Sequence, residues 1–360
     1  MNISRRLLAV GLASMAGVTA LVLPAGASPA AGQGTGSVLV GRGSDTTYEV
    51  MKRLGNLYNS APTQEDGVTS ENKNGDRVQN RLPQGSSVGI DQLCRQGESG
   101  VPETGFARSS RGPREGDCEN LKFVAFARDG IIPVNFRELP NSPAKGVESL
   151  TRAQLRGIFV TCTITNWKQV GGSDGRIIVY TAQEGSGTRA TFDDLLVGTL
   201  GDGLSGDSSS CIPARYKDGD QSNGERVVFE NNVQPILDAG DAPRAIFYLS
   251  FGRFVKLADT NIAQIAVNGV PATAATIEDQ SYPFNRELYN VYYQYTAANT
   301  GVDPSVRQAA ERFLGPTGWI CKPPSEHTTN PRTGQNYGET IDRIIREEGF
   351  VPIDCEVKTT

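Results

Sequence analysis

The sequence predicts an α/β protein, and three observations carry that expectation. Short apolar runs of β character alternate with segments whose apolar residues recur at helical spacing. About 330 residues remain beyond an N-terminal leader, enough for two domains. Three turns bearing glycine, hydroxyl or charged residues stand where a strand gives way to a helix. In open α/β sheets ligands sit beyond the carboxyl ends of strands, so these turns are where function is sought.

The elements follow in order. Residues 37–40 read as a strand that enters the turn Gly41–Thr47. Tyr48, Met51, Leu54, Leu57 and Tyr58 then fall on one helical face. Residues 64–87, rich in Asn, Asp, Gly and Ser, read as an exposed excursion, and order resumes at 88–93 as a helix start. Residues 106–111 read as a strand running into a turn. The apolar runs 123–127 and 131–134, split by Arg128-Asp129-Gly130, suit strands buried on both faces. A short capped helix is expected over 149–159, with Trp167 in the loop beyond it. A strand at 177–180, the turn 181–187 and a helix over 188–200 come next. Further helices are expected over 227–237, 306–314 and 340–348, and further strands over 245–249, 262–267 and 288–293.

The first residues have the form of an export signal. Arg5 and Arg6 form a basic start, residues 7–23 are apolar and uncharged, and Ala25-Gly26-Ala27 gives a small-x-small cleavage pattern. The apolar run is shorter than the ~20 residues that span a bilayer and ends at Pro24. A signal peptide over 1–27 is therefore expected, then a disordered tail over 28–36, in a protein that is secreted or held at the cell wall. No cysteine stands at the cleavage site to carry a lipid anchor. The six cysteines agree with export. Cys94, Cys118, Cys162, Cys211, Cys321 and Cys355 all follow the leader, and none forms a C-x-x-C pair, which argues against zinc or thioredoxin-like chemistry. An oxidising compartment favours three disulfides. Six cysteines allow fifteen connectivities; neighbour pairing is favoured because each successive pair lies within one stretch of chain. The formal charge is −5, and −7 once Arg5 and Arg6 leave with the leader. An acidic chain of this kind is a poor partner for nucleic acid or anionic membrane.

The three junctions share one chemistry. Gly185-Ser186-Gly187-Thr188-Arg189 opens a helix, whose first N–H groups are unpaired and carry partial positive charge. Glycine lets an anion approach the backbone, Ser186 and Thr188 add hydroxyl donors, and Arg189 adds a forked cation. Together they suit an oxyanion; the plainer reading is an ordinary helix cap. Ser44-Asp45-Thr46 repeats the pattern with a carboxylate. Asp45 is either an N-cap or an acceptor for the proton of HPO4(2−), a proton that sulfate lacks. Ser109-Ser110-Arg111 supplies two hydroxyls and a guanidinium, or a polar surface turn.

These turns, in this order, resemble those of the phosphate-binding proteins of ABC transporters. The stretch Leu150-Thr151 to Phe159, with Thr165-Asn166-Trp167, and the run Asp129-Gly130-Ile131-Ile132-Pro133-Val134-Asn135 are similar to that family too. The resemblance covers roughly residues 37–320 and is closest to secreted actinobacterial members. It implies a type II periplasmic binding protein-like fold: two mixed-sheet α/β lobes joined by two crossovers, with lobe I at 37–132 and 246–360 and lobe II at 133–245. It implies that Ser44, Thr46, Ser110, Ser186, Gly187 and Thr188 bind the anion. Two positions depart from the family pattern. Ser109-Ser110 stand where many members carry an aspartate, and Thr181-Ala182-Gln183 where many carry an arginine, a charge that Arg189 or Arg111 would supply.

The function expected is therefore extracellular capture of a tetrahedral oxyanion, phosphate first, by a monomer that needs no cofactor and no metal and works with an ABC transporter permease. The competing class is an adhesion or signalling module that keeps the fold without the ligand. A hydrolase is disfavoured: the Ser186 turn lacks the Gly-x-Ser-x-Gly spacing, and His327 is the sole histidine.

Overall fold

The computed structural model describes residues 36–62, 71–72, 74–198, 206–217, 225–257, 261–294 and 303–360. The expected signal peptide, and all of the expected tail but Gly36, lie outside them. In chain order the strands are β1 (Val38–Gly43), β2 (Arg77–Asn80), β3 (Phe106–Ser109), β4 (Leu121–Asn135), β5 (Ser149–Leu150), β6 (Ile178–Val179), β7 (Thr181–Ala182), β8 (Val227–Val228), β9 (Ala245–Ser250), β10 (Ala263–Gln264), β11 (Ala266–Val267), β12 (Asn285–Tyr293) and β13 (Val351–Thr359). The helices are α1 (Tyr48–Asn59), α2 (Ser86–Cys94), α3 (Arg152–Phe159), α4 (Gly187–Asp193), α5 (Gln234–Asp238), α6 (Phe251–Phe254), α7 (Ala274–Glu278), α8 (Pro304–Leu314) and α9 (Tyr337–Glu347). The chain is mixed α/β, as expected.

Among the described residues nine strands form one sheet, in the order β2-β1-β3-β12-β4-β9-β6, with β10 and β13 also paired to β4. β4 organises it. The two apolar runs expected as separate strands are one strand of 15 residues, with Arg128-Asp129-Gly130 inside it. Its first part pairs antiparallel with β12 and β13, and residues 131–135 pair antiparallel with β9. Alternate side chains along a strand point to opposite faces. Val124 and Phe126 therefore join a core with Leu39, Met51, Leu54, Phe313 and Trp319, while Phe123 and Ala125 join Ile90, Leu93 and Tyr289 on the other face. Beyond Gly130 the same strand feeds Ile131, Ile132 and Val134 into a further core built on Phe159, Trp167, Phe192, Tyr248 and Phe284. Each such large apolar side chain stabilises by about 1.5–3 kcal/mol when fully buried.

Local sequence accounts for the helix starts. Thr151 and Gln154 close a reciprocal capping box on α3, and Ser186 accepts the Arg189 N–H to cap α4. Elsewhere the elements differ from expectation. Part of the expected excursion is ordered: β2 runs parallel to β1, and α2 already begins at Ser86. The helix expected over 227–237 is β8, a turn and the short α5, because β8 pairs in parallel with β7. After Asp193, α4 widens into a π turn over Asp194–Gly198. β13, not foreseen, closes against β4 at the C-terminal end. Disulfides join Cys94 to Cys118, Cys162 to Cys211 and Cys321 to Cys355. No helix among the described residues is long and apolar enough to cross a membrane.

Candidate functional site

The ends of β1, β3 and β7 deliver three turns to one place. Gly43, at φ 109°, lies so close to β3 that a Cβ would stand 2.4 Å from the Arg108 carbonyl. The Ser44 N–H donates to that carbonyl at 2.9 Å. The start of α2 comes against the start of α4: the Ser87 N–H donates to the Gly185 carbonyl at 3.1 Å. A Cβ on Gly187 would lie 2.2 Å from the Ser86 hydroxyl and 2.5 Å from that of Ser110. Only glycine permits this approach. The buried Arg108 braces the first turn. Its guanidinium donates to the Asn80 side chain and the Arg81 carbonyl and lies over the Tyr48 ring. Burial pulls its pKa down to about 10.

At the meeting point lie Thr46, Ser186 and Thr188. The Thr46 and Thr188 hydroxyl oxygens are 3.2 Å apart. Arg286 of β12, only 6% exposed, reaches both: Nη1 donates to Thr188 Oγ1 at 2.8 Å and Nη2 to Thr46 Oγ1 at 3.3 Å. Nη1 also donates to the Ser110 carbonyl at 3.2 Å. Asp129 of β4, the cross-strand neighbour of Arg286, accepts from its Nε at 2.9 Å and Nη2 at 2.7 Å. The hydroxyls, accepting from N–H groups behind them, donate forward to one carboxylate, that of Glu230. Thr46 reaches it at 2.5 Å, Thr188 at 2.7 Å, and Ser186 by a further short bond. Polarised hydroxyls of this kind are stronger donors than isolated ones.

The residues singled out from sequence divide into two groups. Thr46, Ser186, Gly187 and Thr188 converge, with Ser110 joining through its backbone and its contact with Ser86. Asp45 lines the adjoining cavity with Thr46 and Glu230. Its Oδ2 is buried without a hydrogen-bond partner. Burial, and then the Glu230 charge, pushes its pKa up to about 7. The other side chains are engaged elsewhere. Ser44 Oγ faces the Thr47 N–H, and Ser109 Oγ donates to the Arg111 carbonyl. Gly185, at φ 82°, offers its carbonyl to α2. Arg111 forms a buried ion pair with Asp117, and Arg189 turns to Asp207 and the Ala182 carbonyl. The guanidinium that lies among the hydroxyls is that of Arg286, and neither Arg189 nor Arg111 reaches them.

Sequence reasoning missed Arg286, Asp129, Glu230 and Ser86 as site residues. Arg286 lies just before the apolar run taken as a strand. Glu230 lay inside a segment read as helix. The signal for Arg286 was a charged residue two positions before Leu288, so on the same face of the strand; both are buried while Asn285 and Glu287 are not. His327, the one histidine, is buried against Trp319 with Nδ1 on Glu71, and its bonds do not reach Ser186.

The family model described as the PBP superfamily domain matches residues 25–314. Among curated proteins, the phosphate-binding protein PstS of Borreliella burgdorferi is 26% identical over 236 residues, which is 65% of this chain and 74% of that one. The PstS of Bacillus subtilis is 30% identical over 144 residues, and the match spans 39% of each protein. Among solved structures, a candidate phosphate ABC transporter substrate-binding protein of Clostridium perfringens, holding phosphate, overlays with a TM-score of 0.58 at 22% identity. It covers 88% of this chain and 99% of its own. An ABC-type phosphate transport receptor of Vibrio cholerae gives 0.54 at 23% identity, covering 87% of this chain and 99% of its own. With a family match that spans most of its length, and with the fold to accord, this chain belongs to the PBP superfamily.

Proposed function

We propose that the protein is an extracellular solute-binding protein that captures a tetrahedral oxyanion, phosphate first, between two lobes, residues 37–132 with 246–360 and residues 133–245. One observation carries the reading. Hydroxyls from turns 142 residues apart in sequence, Thr46 and Thr188, converge with Ser186 on one carboxylate, and the buried Arg286 stands behind both threonines. Hydroxyl and N–H donors with one guanidinium behind them stabilise a desolvated anion. The curated relatives named above are phosphate-binding proteins, which supports phosphate over other oxyanions. The role is capture rather than catalysis, and delivery would be to an ABC transporter permease. Equilibrium dialysis of the exported protein with labelled phosphate, against sulfate, tests it: saturable phosphate binding is expected, and its absence overturns the reading.

One observation favours the second reading, an extracellular module that keeps the fold without the ligand: the hydroxyl cluster is already satisfied by the Glu230 carboxylate. The same dialysis separates the two.

A further inference from the structure

Glu230 is held as a bound anion would be held. It is a carboxylate only 4% exposed. Thr46 and Thr188 donate to Oε1, Ser186 donates to Oε2, and the Thr188 N–H faces Oε2 at 3.5 Å. Arg286 acts on it through the two threonine hydroxyls. The donors come from the starts of α1 and α4, whereas Glu230 comes from the turn between β8 and α5. A buried carboxylate needs donors, and three hydroxyl donors need an acceptor; each satisfies the other.

The turn that carries Glu230 is pinned on either side of it. Asn231, at φ 62°, accepts the Ser250 N–H on Oδ1 and donates to Thr46 through Nδ2. The Glu230 N–H donates to Gln183. Its other neighbour, Phe229, is 68% exposed. Beside Glu230 opens a cavity of about 300 Å³ whose lining includes Asp45, Phe229, Arg253 and Lys256. The cavity offers the Glu230 side chain room beside its present position; of the cations that line it, Arg253 donates to the Asn231 carbonyl and Lys256 pairs with Glu348, and Asp45 and Glu49 line it too.

We propose that Glu230 is an internal ligand of the oxyanion site: its carboxylate occupies the anion position, and an external anion binds by exchanging with it. The proposal rests on the oxyanion-site reading of the same hydroxyls given above. It also names the class of anion that can enter. A tethered carboxylate has a high effective concentration, so free monocarboxylates do not displace it. A tetrahedral dianion brings four oxygens and more charge, enough to engage the hydroxyls and Arg286 together. Glu230 thus sets both the affinity of the site and its preference for tetrahedral anions over carboxylates.

The test uses the full exported protein as wild type, Glu230→Ala and Glu230→Gln. Labelled phosphate is titrated by equilibrium dialysis, and acetate is titrated by thermal unfolding. Acetate restores the methylene and carboxylate that the alanine removes. Glu230→Ala is expected to bind phosphate on the order of ten- to a hundredfold more tightly than wild type. It is also expected to gain a saturable, acetate-dependent rise in Tm that wild type lacks. Glu230→Gln, uncharged at the same size, should bind phosphate more tightly than wild type too, and serves if the alanine variant does not fold. Unchanged or weaker phosphate binding by both variants would overturn the proposal while leaving phosphate capture standing, with Glu230 then a ligand contact. If no form binds phosphate, the phosphate reading fails. Acetate stabilisation confined to Glu230→Ala would then still support the internal ligand, and its absence would overturn that as well.

Discussion

Arg286 and Asp129 face each other across neighbouring strands, and the Asp129 carboxylate fixes Nε and Nη2 of the guanidinium so that its Nη groups reach Thr46, Thr188 and Ser110. The pair lies where β4 passes from one core to the next. It therefore fastens the sheet and holds a guanidinium against the hydroxyls of Thr46 and Thr188.

Arg286→Lys is expected to weaken phosphate binding at least tenfold, because a point charge cannot hold Asp129 and two hydroxyls at once. Arg189→Ala, which removes a guanidinium bound to Asp207, should cost much less affinity. Titrating both variants by equilibrium dialysis checks the order; a larger loss for Arg189→Ala would place the functional cation elsewhere. Breaking a buried pair by removing one partner costs about 3–5 kcal/mol, so Arg286→Ala should also lower Tm markedly.

Gly187→Ala is expected to lose binding while keeping the fold. The added methyl meets the hydroxyls of Ser86 and Ser110 well inside contact distance, so the starts of α2 and α4 must part. Overpacking of this kind costs about 1–3 kcal/mol. Urea unfolding and phosphate titration read the two effects separately, and unchanged affinity would show that the approach of α2 to α4 is irrelevant to the anion.

Cys321→Ser is expected to destabilise the chain by about 3–4 kcal/mol, the chain-entropy value for a bridge that closes 34 residues. That bridge ties β13 to the segment after α8. Thiol counting on the denatured, unreduced wild type should give none, and two or more free thiols would refute the pairing of the cysteines.

Local rules made much of this legible. The three turns could be read because glycine, hydroxyl and helix start lie within a few residues of one another. The cap at Ser186 and the box at Thr151 and Gln154 are likewise short-range. Arg286 and Glu230 were not legible because each meets the site through tertiary contacts, one across β4 and the other by a turn that β7–β8 pairing imposes. The exchange of Arg189 for Arg286 has the same cause: a guanidinium one residue past the turn can point either way, and Asp207 takes it. β13 escaped notice because most of its side chains are exposed and only its pairing with β4 defines it.

Asp45 carries the last expectation, and the sign follows from its surroundings. Burial, then the neighbouring Glu230 charge, raises its carboxyl from 3.8 to about 7. Between those values the folded chain holds a proton that the unfolded chain has released. Stability attributable to Asp45 is therefore lost as pH rises through that window, and Asp193, raised to about 6 mainly by burial, adds a slope of the same sign. Asp45→Asn should remove its share and make the protein more stable at pH 8 by roughly 2–4 kcal/mol. Binding follows the same proton. Oδ2 of Asp45 is buried without a partner and so is ready to accept the hydrogen of HPO4(2−). Once ionised, it repels a sulfate oxygen that has no proton to give. Protonated, it donates to either anion. Preference for phosphate over sulfate, referred at each pH to the fraction present as HPO4(2−), should therefore grow from pH 6 to pH 8 in wild type and stay flat in Asp45→Asn. Competition of the two anions at several pH values measures it; a preference that does not change with pH in wild type would leave Asp45 no part in discrimination.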